Sequence, residues 1–236
     1  MSSHFIQNLA PEWITTQELV QFTQRLIQTP SLSTQEGAVA ELLVAQLKAL
    51  GFPNVHVNAM GSVIATLGNG NGPTLLYDAH MDTVEAATPE HWAHPPHAGV
   101  IENGVLYGLG AIDMKSSLAS MVYGAQALLP YQDQLNGTLV LAFVVQEEPC
   151  EGLAIRYLVE EDGIRPDYVL LGEPTNLQIS RGQRGRVMFK VWVEGKSSHA
   201  SQPALGQNAI YAAARLVFAI QLMADDLPKD PFLGPG

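Results

Sequence analysis

The chain has 236 residues, enough for one large or two modest domains, and 47% of them are hydrophobic and 15% charged, as is ordinary for a globular protein. Its formal net charge is -11 and no Lys/Arg cluster offsets it, so a nucleic-acid or anionic-membrane surface is not expected. Cys150 is the single cysteine, which excludes an intrachain disulfide and a thiolate zinc cluster.

The N-terminal segment, residues 1–11, has no basic stretch followed by an apolar one, so no signal peptide is expected. The longest apolar run, residues 139–145, is far too short to span a bilayer. These two features together predict a cytoplasmic protein without a membrane anchor.

Two amphipathic helices are predicted to open the fold. The first begins near Thr16 and ends at Pro30, and the second is capped by Ser33 or Thr34 and ends at Gly51. Short β-like runs separated by Gly, Asn and Pro come next, at residues 55–57, 63–67 and 74–77.

Helices then alternate with strongly apolar strands. Residues 114–129 have helical periodicity, and residues 137–145 form an almost wholly apolar run that is typical of a buried strand. A helix at 152–162 and an apolar strand at 168–171 follow. The alternation predicts an α/β fold in which helices cover a mostly parallel sheet.

The pattern changes near Gly182, and two domains are predicted, residues 1–183 and 184–236. Residues 187–193 alternate in polarity as a half-exposed antiparallel strand does, and a long helix at 208–223 follows. One strand and one helix cannot close a core, so the second domain is expected to be incomplete.

Acidic residues or a histidine stand at four places where an apolar run gives way to a turn. In open α/β sheets, ligands bind at the carboxyl ends of the strands. Taken singly, Asp113 can be the N-cap of the following helix, and the glutamate pair can be a solvated loop. Convergence of all four places on one sheet edge favours a cation site, because clustered carboxylates repel one another. The residues are His80, Asp82, Asp113, Glu147, Glu148 and Glu173.

The donor types narrow the class of metal. One imidazole with several carboxylates and no thiolate suits Zn²⁺, Mn²⁺ or Co²⁺. A two-metal hydrolase needs a bridging carboxylate and a free carboxylate that acts as base, and Glu147 and Glu148 can divide these two tasks. Asp82 lies two residues from His80, close enough to hold the second imidazole nitrogen.

Five motifs occur in a fixed order: HMDTV (80–84), GLGAIDMK (108–115), QEE (146–148), GEPT (172–175) and GKSSHA (195–200). In order and spacing they resemble the motifs of the M20 metallopeptidase family, which includes acetylornithine deacetylase, succinyl-diaminopimelate desuccinylase, aminoacylase and glutamate carboxypeptidases. The runs IRP (164–166), RGQRGR (181–186) and NAIY (208–211) resemble the YgeY-type hydrolase branch of that family.

The resemblance implies a ligand set. His80 and Glu173 bind one metal ion, Glu148 binds the other, and Asp113 bridges the two. The implied cofactor is a pair of zinc ions, with cobalt or manganese as alternatives. In the family a histidine far downstream completes the second site, and the chain ends before that position.

The resemblance also implies three residues with other tasks. Glu147 is the general base, and Asp82 supports His80. His199 belongs to a lid domain and, in a homodimer of the full-length enzyme, reaches the neighbouring subunit's active site and polarises the scissile carbonyl. The histidines His91 and His94, with His97, are not expected to be ligands, since two prolines prevent a helix there.

The implied activity is hydrolysis of the amide bond of an N-acyl amino acid or small peptide. A Glu rather than an Asp at position 173 favours deacylases and carboxypeptidases over aminopeptidases. The alternative is a truncated, catalytically inactive chain that still binds metal. A serine hydrolase is set aside because the sequence has no Gly-x-Ser-x-Gly motif.

Overall fold

The computed structural model describes residues 16–180, 182–183, 185–223, 226–232 and 234–235. The N-terminal segment discussed above, and Arg181 and Arg184 of the arginine-rich run, lie outside the described residues. The chain divides into two compact units, one up to Pro174 and one from Thr175 onward. This division falls earlier in the chain than the domain boundary after residue 183 that the sequence predicts.

The first unit contains four α-helices and seven strands among its described residues. In chain order they are α1 (Thr16–Gln28), α2 (Gly37–Ala49), β1 (Asn54–Val57), β2 (Val63–Gly68), β3 (Thr74–His80), β4 (Val100–Glu102), β5 (Val105–Tyr107), α3 (Ser116–Gln126), β6 (Thr138–Val144), α4 (Leu153–Glu160) and β7 (Tyr168–Leu171).

Five of these strands form one sheet in the order β1-β2-β6-β3-β7. Strand β3 runs parallel to both β6 and β7, whereas the β1–β2 and β2–β6 pairs are antiparallel. All strands except β2 therefore share one direction, and the predicted α/β fold with a mostly parallel sheet is confirmed. Because His80 pairs with Val144 and Asp78 with Leu171, strands β3, β6 and β7 end at the same edge of the sheet.

Helices cover both faces of the sheet. On one face, α1, α2 and α3 pack their apolar sides against the strands, and Phe22, Leu43, Val122 and Phe143 are fully buried in that core. On the other face, a smaller cluster joins α4 to the sheet through side chains such as Leu158. The apolar run of β6 is buried because both faces of that strand are covered, whereas the four residues of the edge strand β7 are exposed.

The start of α2 differs from the prediction. Its N-cap residue is Glu36, which makes no side-chain hydrogen bond to the helix, so the expectation that Ser33 or Thr34 caps it is wrong. The Ser33 hydroxyl instead donates to Asp82, 2.7 Å away. The pattern Ser-x-x-Glu suggests that the Ser33 hydroxyl binds a backbone N–H at the start of the helix, but it binds the distant Asp82 carboxylate instead.

The second unit contains α5 (Ala209–Met223) and the short strands β8 (Lys229–Asp230) and β9 (Gly234–Pro235). The antiparallel strand predicted at 187–193 is wrong, since the described residues there have no ladder partner and Phe189 and Trp192 are exposed. Alternating polarity alone does not make a strand, because a strand needs a neighbour that accepts its hydrogen bonds.

None of the helices in the described part of the chain is long and apolar enough to cross a lipid bilayer.

Candidate metal centre

The candidate residues of the first unit come together at the edge where β3, β6 and β7 end. His80 is the last residue of β3, and Glu147 and Glu148 lie in the loop after β6. Glu173 follows β7, and Asp113 lies in an irregular turn, Ala111–Lys115, that leads into α3. The parallel arrangement thus places side chains that are far apart in the sequence next to one another.

His80 is the centre of this arrangement, and its side chain is only 1% exposed. Its Nδ1 lies 2.9 Å from the backbone carbonyl of Asp82. A carbonyl only accepts hydrogen bonds, so Nδ1 carries a proton and Nε2 faces the carboxylates. Nε2 is 2.9 Å from Asp113 Oδ1 and 3.7 Å from Glu173 Oε1.

Two groups of possible ligand atoms share this imidazole. His80, Glu147 and Glu173 form one group, and His80, Asp113 and Glu148 form the other, with the atoms of each group within 4.8 Å of one another. Both adjacent glutamates therefore reach the same histidine from one loop. The structure brings together all the acidic residues that the sequence singled out on this sheet edge.

Asp82 supports the site in a different way from the one expected. Its carboxylate is fully buried, and the carboxylate Oδ1 is 3.6 Å from His80 Nδ1. The backbone carbonyl of Asp82 is closer to that nitrogen, at 2.9 Å. The carboxylate accepts the backbone N–H groups of Glu147 at 3.0 Å and Glu148 at 3.2 Å, and the hydroxyl of Ser33. Asp82 therefore links the imidazole to the loop that follows β6.

Asp113 is not a helix cap. Helix α3 begins at Ser116, its N-cap residue is Lys115, and the Asp113 carboxylate points to His80. The turn is fixed by Lys115, which is fully buried and donates to the backbone carbonyls of Leu26 and Thr29 at 2.8 and 2.7 Å. Burial lowers the pKa of this lysine from 10.5 to about 8.

Burial and the neighbouring charges shift the pKa values of the acidic groups. Burial, followed by the neighbouring carboxylates, raises the pKa of Glu147 from 4.5 to about 7 against the opposing effect of His80. The same causes raise the pKa of Glu173. Burial opposes the charged form of His80, but Asp113, Asp82 and Glu173 together outweigh it and raise the pKa of the imidazole.

Asp78 belongs to the neighbourhood of the site and was not singled out from the sequence. It lies inside β3, is 8% exposed, and its Oδ1 has no hydrogen-bond partner among the described residues. Burial raises the pKa of this carboxyl from 3.8 to about 7, and the charges of Glu173 and Glu147 contribute, while His80 opposes them. The sequence feature that could have identified Asp78 is an acidic residue within an otherwise apolar strand.

The other histidines have separate environments. His94 pairs with Glu102 at 3.4 Å, and His97 Nδ1 lies 3.3 Å from the carbonyl of Ile27. His199 lies in the second unit, where its exposed ring accepts the backbone N–H of Ser201 at Nδ1, 3.2 Å away. Within the described residues, none of these histidines belongs to a group that could hold a metal ion.

The donor set fits a divalent cation of the zinc, manganese or cobalt type. It combines one oriented imidazole with four carboxylates and includes no thiolate. Burial is the main cause of the raised pKa values of Glu147 and Glu173, and the neighbouring carboxylates add to it. A bound cation would favour the charged form of these carboxylates and so lower their pKa values.

Comparison with known proteins identifies relatives of this chain. The protein YgeY of Escherichia coli K12, which is uncharacterised, is 34% identical over 220 residues, which cover 93% of this chain and 54% of YgeY. The chain therefore spans about half the length of the curated relatives it matches.

Solved structures show the same fold. The M20 family metallo-carboxypeptidase Sso-CP2 from Sulfolobus solfataricus superposes with a TM-score of 0.59 at 21% identity, over 66% of this chain and 37% of that one. Human carnosine dipeptidase 1 superposes with a TM-score of 0.56 at 20% identity, over 66% of this chain and 38% of that one. Residues 76–230 match the description of peptidase family M20/M25/M40, and the chain belongs to that family.

Proposed function

We propose that the protein is a metal-dependent hydrolase of amide bonds in N-acyl amino acids or small peptides. The observation that supports it most is the buried, oriented His80 surrounded by four carboxylates at one sheet edge. Relatives in the family point the same way: Sso-CP2 is a metallo-carboxypeptidase, and carnosine dipeptidase 1 is a dipeptidase. The N-acyl substrate class rests on the Glu at position 173.

The proposed ligand set has His80 and Glu173 on one ion, Glu148 on the other, and Asp113 as the bridge. The short distances from His80 Nε2 to Asp113 and Glu173 support a shared ion for these three residues. The second group, which places Glu148 near Asp113, supports the bridging role. We propose zinc as the metal, with cobalt or manganese as substitutes.

Two such ions would supply Lewis-acid polarisation of the substrate carbonyl and would acidify a water molecule. Within the chain, Glu147 would take a proton from the water as its oxygen bonds to the carbonyl carbon, and would pass that proton to the amine nitrogen as the C–N bond breaks. Its half-buried carboxylate lies within reach of His80 and Glu173, and its backbone is held by Asp82. The Asp82 carbonyl keeps the His80 ring in the orientation that directs Nε2 into the site.

His199 is proposed to act in the active site of a second subunit of a homodimer, where it polarises the scissile carbonyl. The hydrogen bond from Ser201 to Nδ1 makes that nitrogen an acceptor, so the neutral ring carries its proton on Nε2. An N–H donor is the kind of group that stabilises a developing oxyanion once it is positioned against the carbonyl oxygen and shielded from water.

The ligand assignment is tested by titrating the metal-free protein with Co²⁺ and following its visible absorption. We expect His80→Ala and Asp113→Ala to weaken binding at least about 10-fold, because each removes a donor. Asp133→Asn, which removes an exposed carboxylate away from the sheet edge, is the matched control. Equal affinity in the wild type and Asp113→Ala would refute the bridging role.

The two glutamates are separated by metal content and turnover. Glu147→Gln should abolish turnover of N-acetyl amino acids or dipeptides while metal content stays near normal, since the base is not a ligand. Glu148→Gln should reduce metal content. If elemental analysis shows the reverse, the two roles are exchanged, and metal binding without any turnover would favour an inactive metal-binding chain.

A further inference from the structure

The connector between α1 and α2 contacts two of the loops that supply the candidate metal centre. We call residues 31–36 the brace. The hydroxyl of Ser31 donates a hydrogen bond to the carbonyl of Met81, at 2.8 Å. The backbone carbonyl of Ser31 accepts a hydrogen bond from the backbone N–H of Thr83, also at 2.8 Å. Ser33 donates to Asp82, as described above. The brace therefore runs alongside the segment that follows His80 and is tied to it by side-chain and backbone bonds.

The last residue of the brace, Glu36, reaches the other loop. Its side chain is buried, with 5% of the residue exposed, and its Oε1 accepts the backbone N–H groups of Thr34 at 2.9 Å and Gln146 at 3.0 Å. Thr34 and Gln146 have φ angles of 74° and 56°, in the left-handed region. This conformation is unfavourable for residues other than glycine, so it persists where other contacts hold it.

Together, Glu36 and Asp82 bind three successive backbone N–H groups. Gln146 donates to Glu36, Glu147 donates to Asp82 Oδ1, and Glu148 donates to Asp82 Oδ2. Fixing three consecutive peptide groups fixes the directions in which the side chains of Glu147 and Glu148 leave the backbone. One of these residues is the proposed base and the other a proposed metal ligand.

We propose that Glu36 is a positioning residue for the metal centre, acting through the N–H of Gln146 on the orientation of Glu147 and Glu148. This inference rests on the proposed function, because it assigns Glu36 a purpose only if those glutamates serve a metal site. Glu36 belongs to neither group of candidate ligand atoms, so its effect is indirect.

A purely structural role for Glu36 predicts something different. A carboxylate at the N-terminus of α2 could stabilise that helix, but Glu36 makes no side-chain bond to the helix N–H groups. Its partners lie in the brace and in the loop after β6. A helix-stabilising residue would change the melting temperature alone, whereas a positioning residue changes metal affinity and the local protection of the loop.

The test measures Co²⁺ affinity by visible absorption and amide hydrogen exchange of residues 146–148 in the whole protein. We expect Glu36→Ala to weaken Co²⁺ binding about 10- to 100-fold and to speed exchange of the loop amides, while the amides of β6 stay protected. Glu36→Gln keeps an acceptor oxygen and should stay within about threefold of the wild type. Glu41→Gln, an exposed charge removal in α2, should match the wild type.

Two further arms keep the outcomes distinct. If His80→Ala fails to weaken Co²⁺ binding, the proposed function fails; if His80→Ala weakens it and Glu36→Ala does not, this inference alone is overturned. A Glu36→Gln variant that behaves like Glu36→Ala would also overturn it, since the acceptor would then not suffice. Should Glu36→Ala not fold, exchange in the wild type decides: an unprotected Gln146 amide refutes the hydrogen bond on which the inference depends.

Discussion

Asp78 allows a quantitative prediction of how the free energy of unfolding depends on pH, because its carboxyl is buried and not all of its hydrogen-bond acceptors are satisfied among the described residues. It lies in β3 two residues before His80, and its Oδ1 finds no hydrogen bond among the described residues. Burial is the main reason that its pKa rises from 3.8 to about 7. The folded protein therefore binds this proton more tightly than the unfolded chain does, and the group favours folding only while it is protonated.

The size of the effect follows from the two pKa values. Stability from Asp78 is fully present below pH 3.8 and is lost as the pH rises to about 7. Each pKa unit corresponds to about 1.36 kcal/mol, so the full loss is about 4 kcal/mol. Asp78→Asn has no proton to lose, and its stability relative to the wild type should therefore rise by about that amount between about pH 4 and pH 8.

The measurement is urea unfolding of the metal-free wild type and Asp78→Asn across this pH range, with a chelator present. Any fixed cost of placing an amide at this position cancels in the pH dependence of the difference between the two proteins. Asp133→Asn, at an exposed position, is the control and should show no comparable trend. A difference that changes by less than about 1 kcal/mol over this range would refute the argument from burial.

Three other changes test how the site is held. Lys115→Met should lower the free energy of unfolding by about 1–3 kcal/mol in urea, since it leaves the carbonyls at the end of α1 without their charged donor. Gly110→Ala should lower the melting temperature and weaken Co²⁺ binding, because a Cβ there would lie 2.5 Å from Thr83 Cγ2 and the residue has a φ of +72°. Leu158→Ala should cost about 2–5 kcal/mol in urea and leave Co²⁺ affinity unchanged, since Leu158 is fully buried in the apolar cluster under α4 and supplies no candidate ligand atom. An unchanged stability in any of the three would contradict the contact named for it.

The convergence of the candidate ligands at one sheet edge could be predicted from the sequence for a physical reason. The strands β3, β6 and β7 come from mostly apolar runs of the sequence, so a polar residue at or just after the end of such a run is conspicuous. His80 ends β3, and Glu147 and Glu173 follow β6 and β7. Once the strands are parallel, their ends meet at one edge, and the convergence of the side chains follows from topology alone.

Contacts between distant segments were less predictable. Ser33 and Glu36 have the spacing of a local capping box, yet both side chains bind segments far along the chain. The alternation at 187–193 is a local pattern as well, and it forms no ladder among the described residues. A local pattern shows which side chains are polar and which are apolar. It does not show which distant residues they contact, because those contacts depend on tertiary packing.

His80 ends strand β3 and the other proposed metal ligands lie on loops and turns, and several of them are oriented by contacts with other residues. The Asp82 carbonyl orients His80, the carboxylates of Asp82 and Glu36 bind the loop after β6, and Lys115 anchors the turn that contains Asp113 to the end of α1. All of these groups belong to the unit that ends at Pro174. The orientation of the candidate donors is therefore a property of the first unit, and a cation that binds there meets carboxylates already directed toward one imidazole.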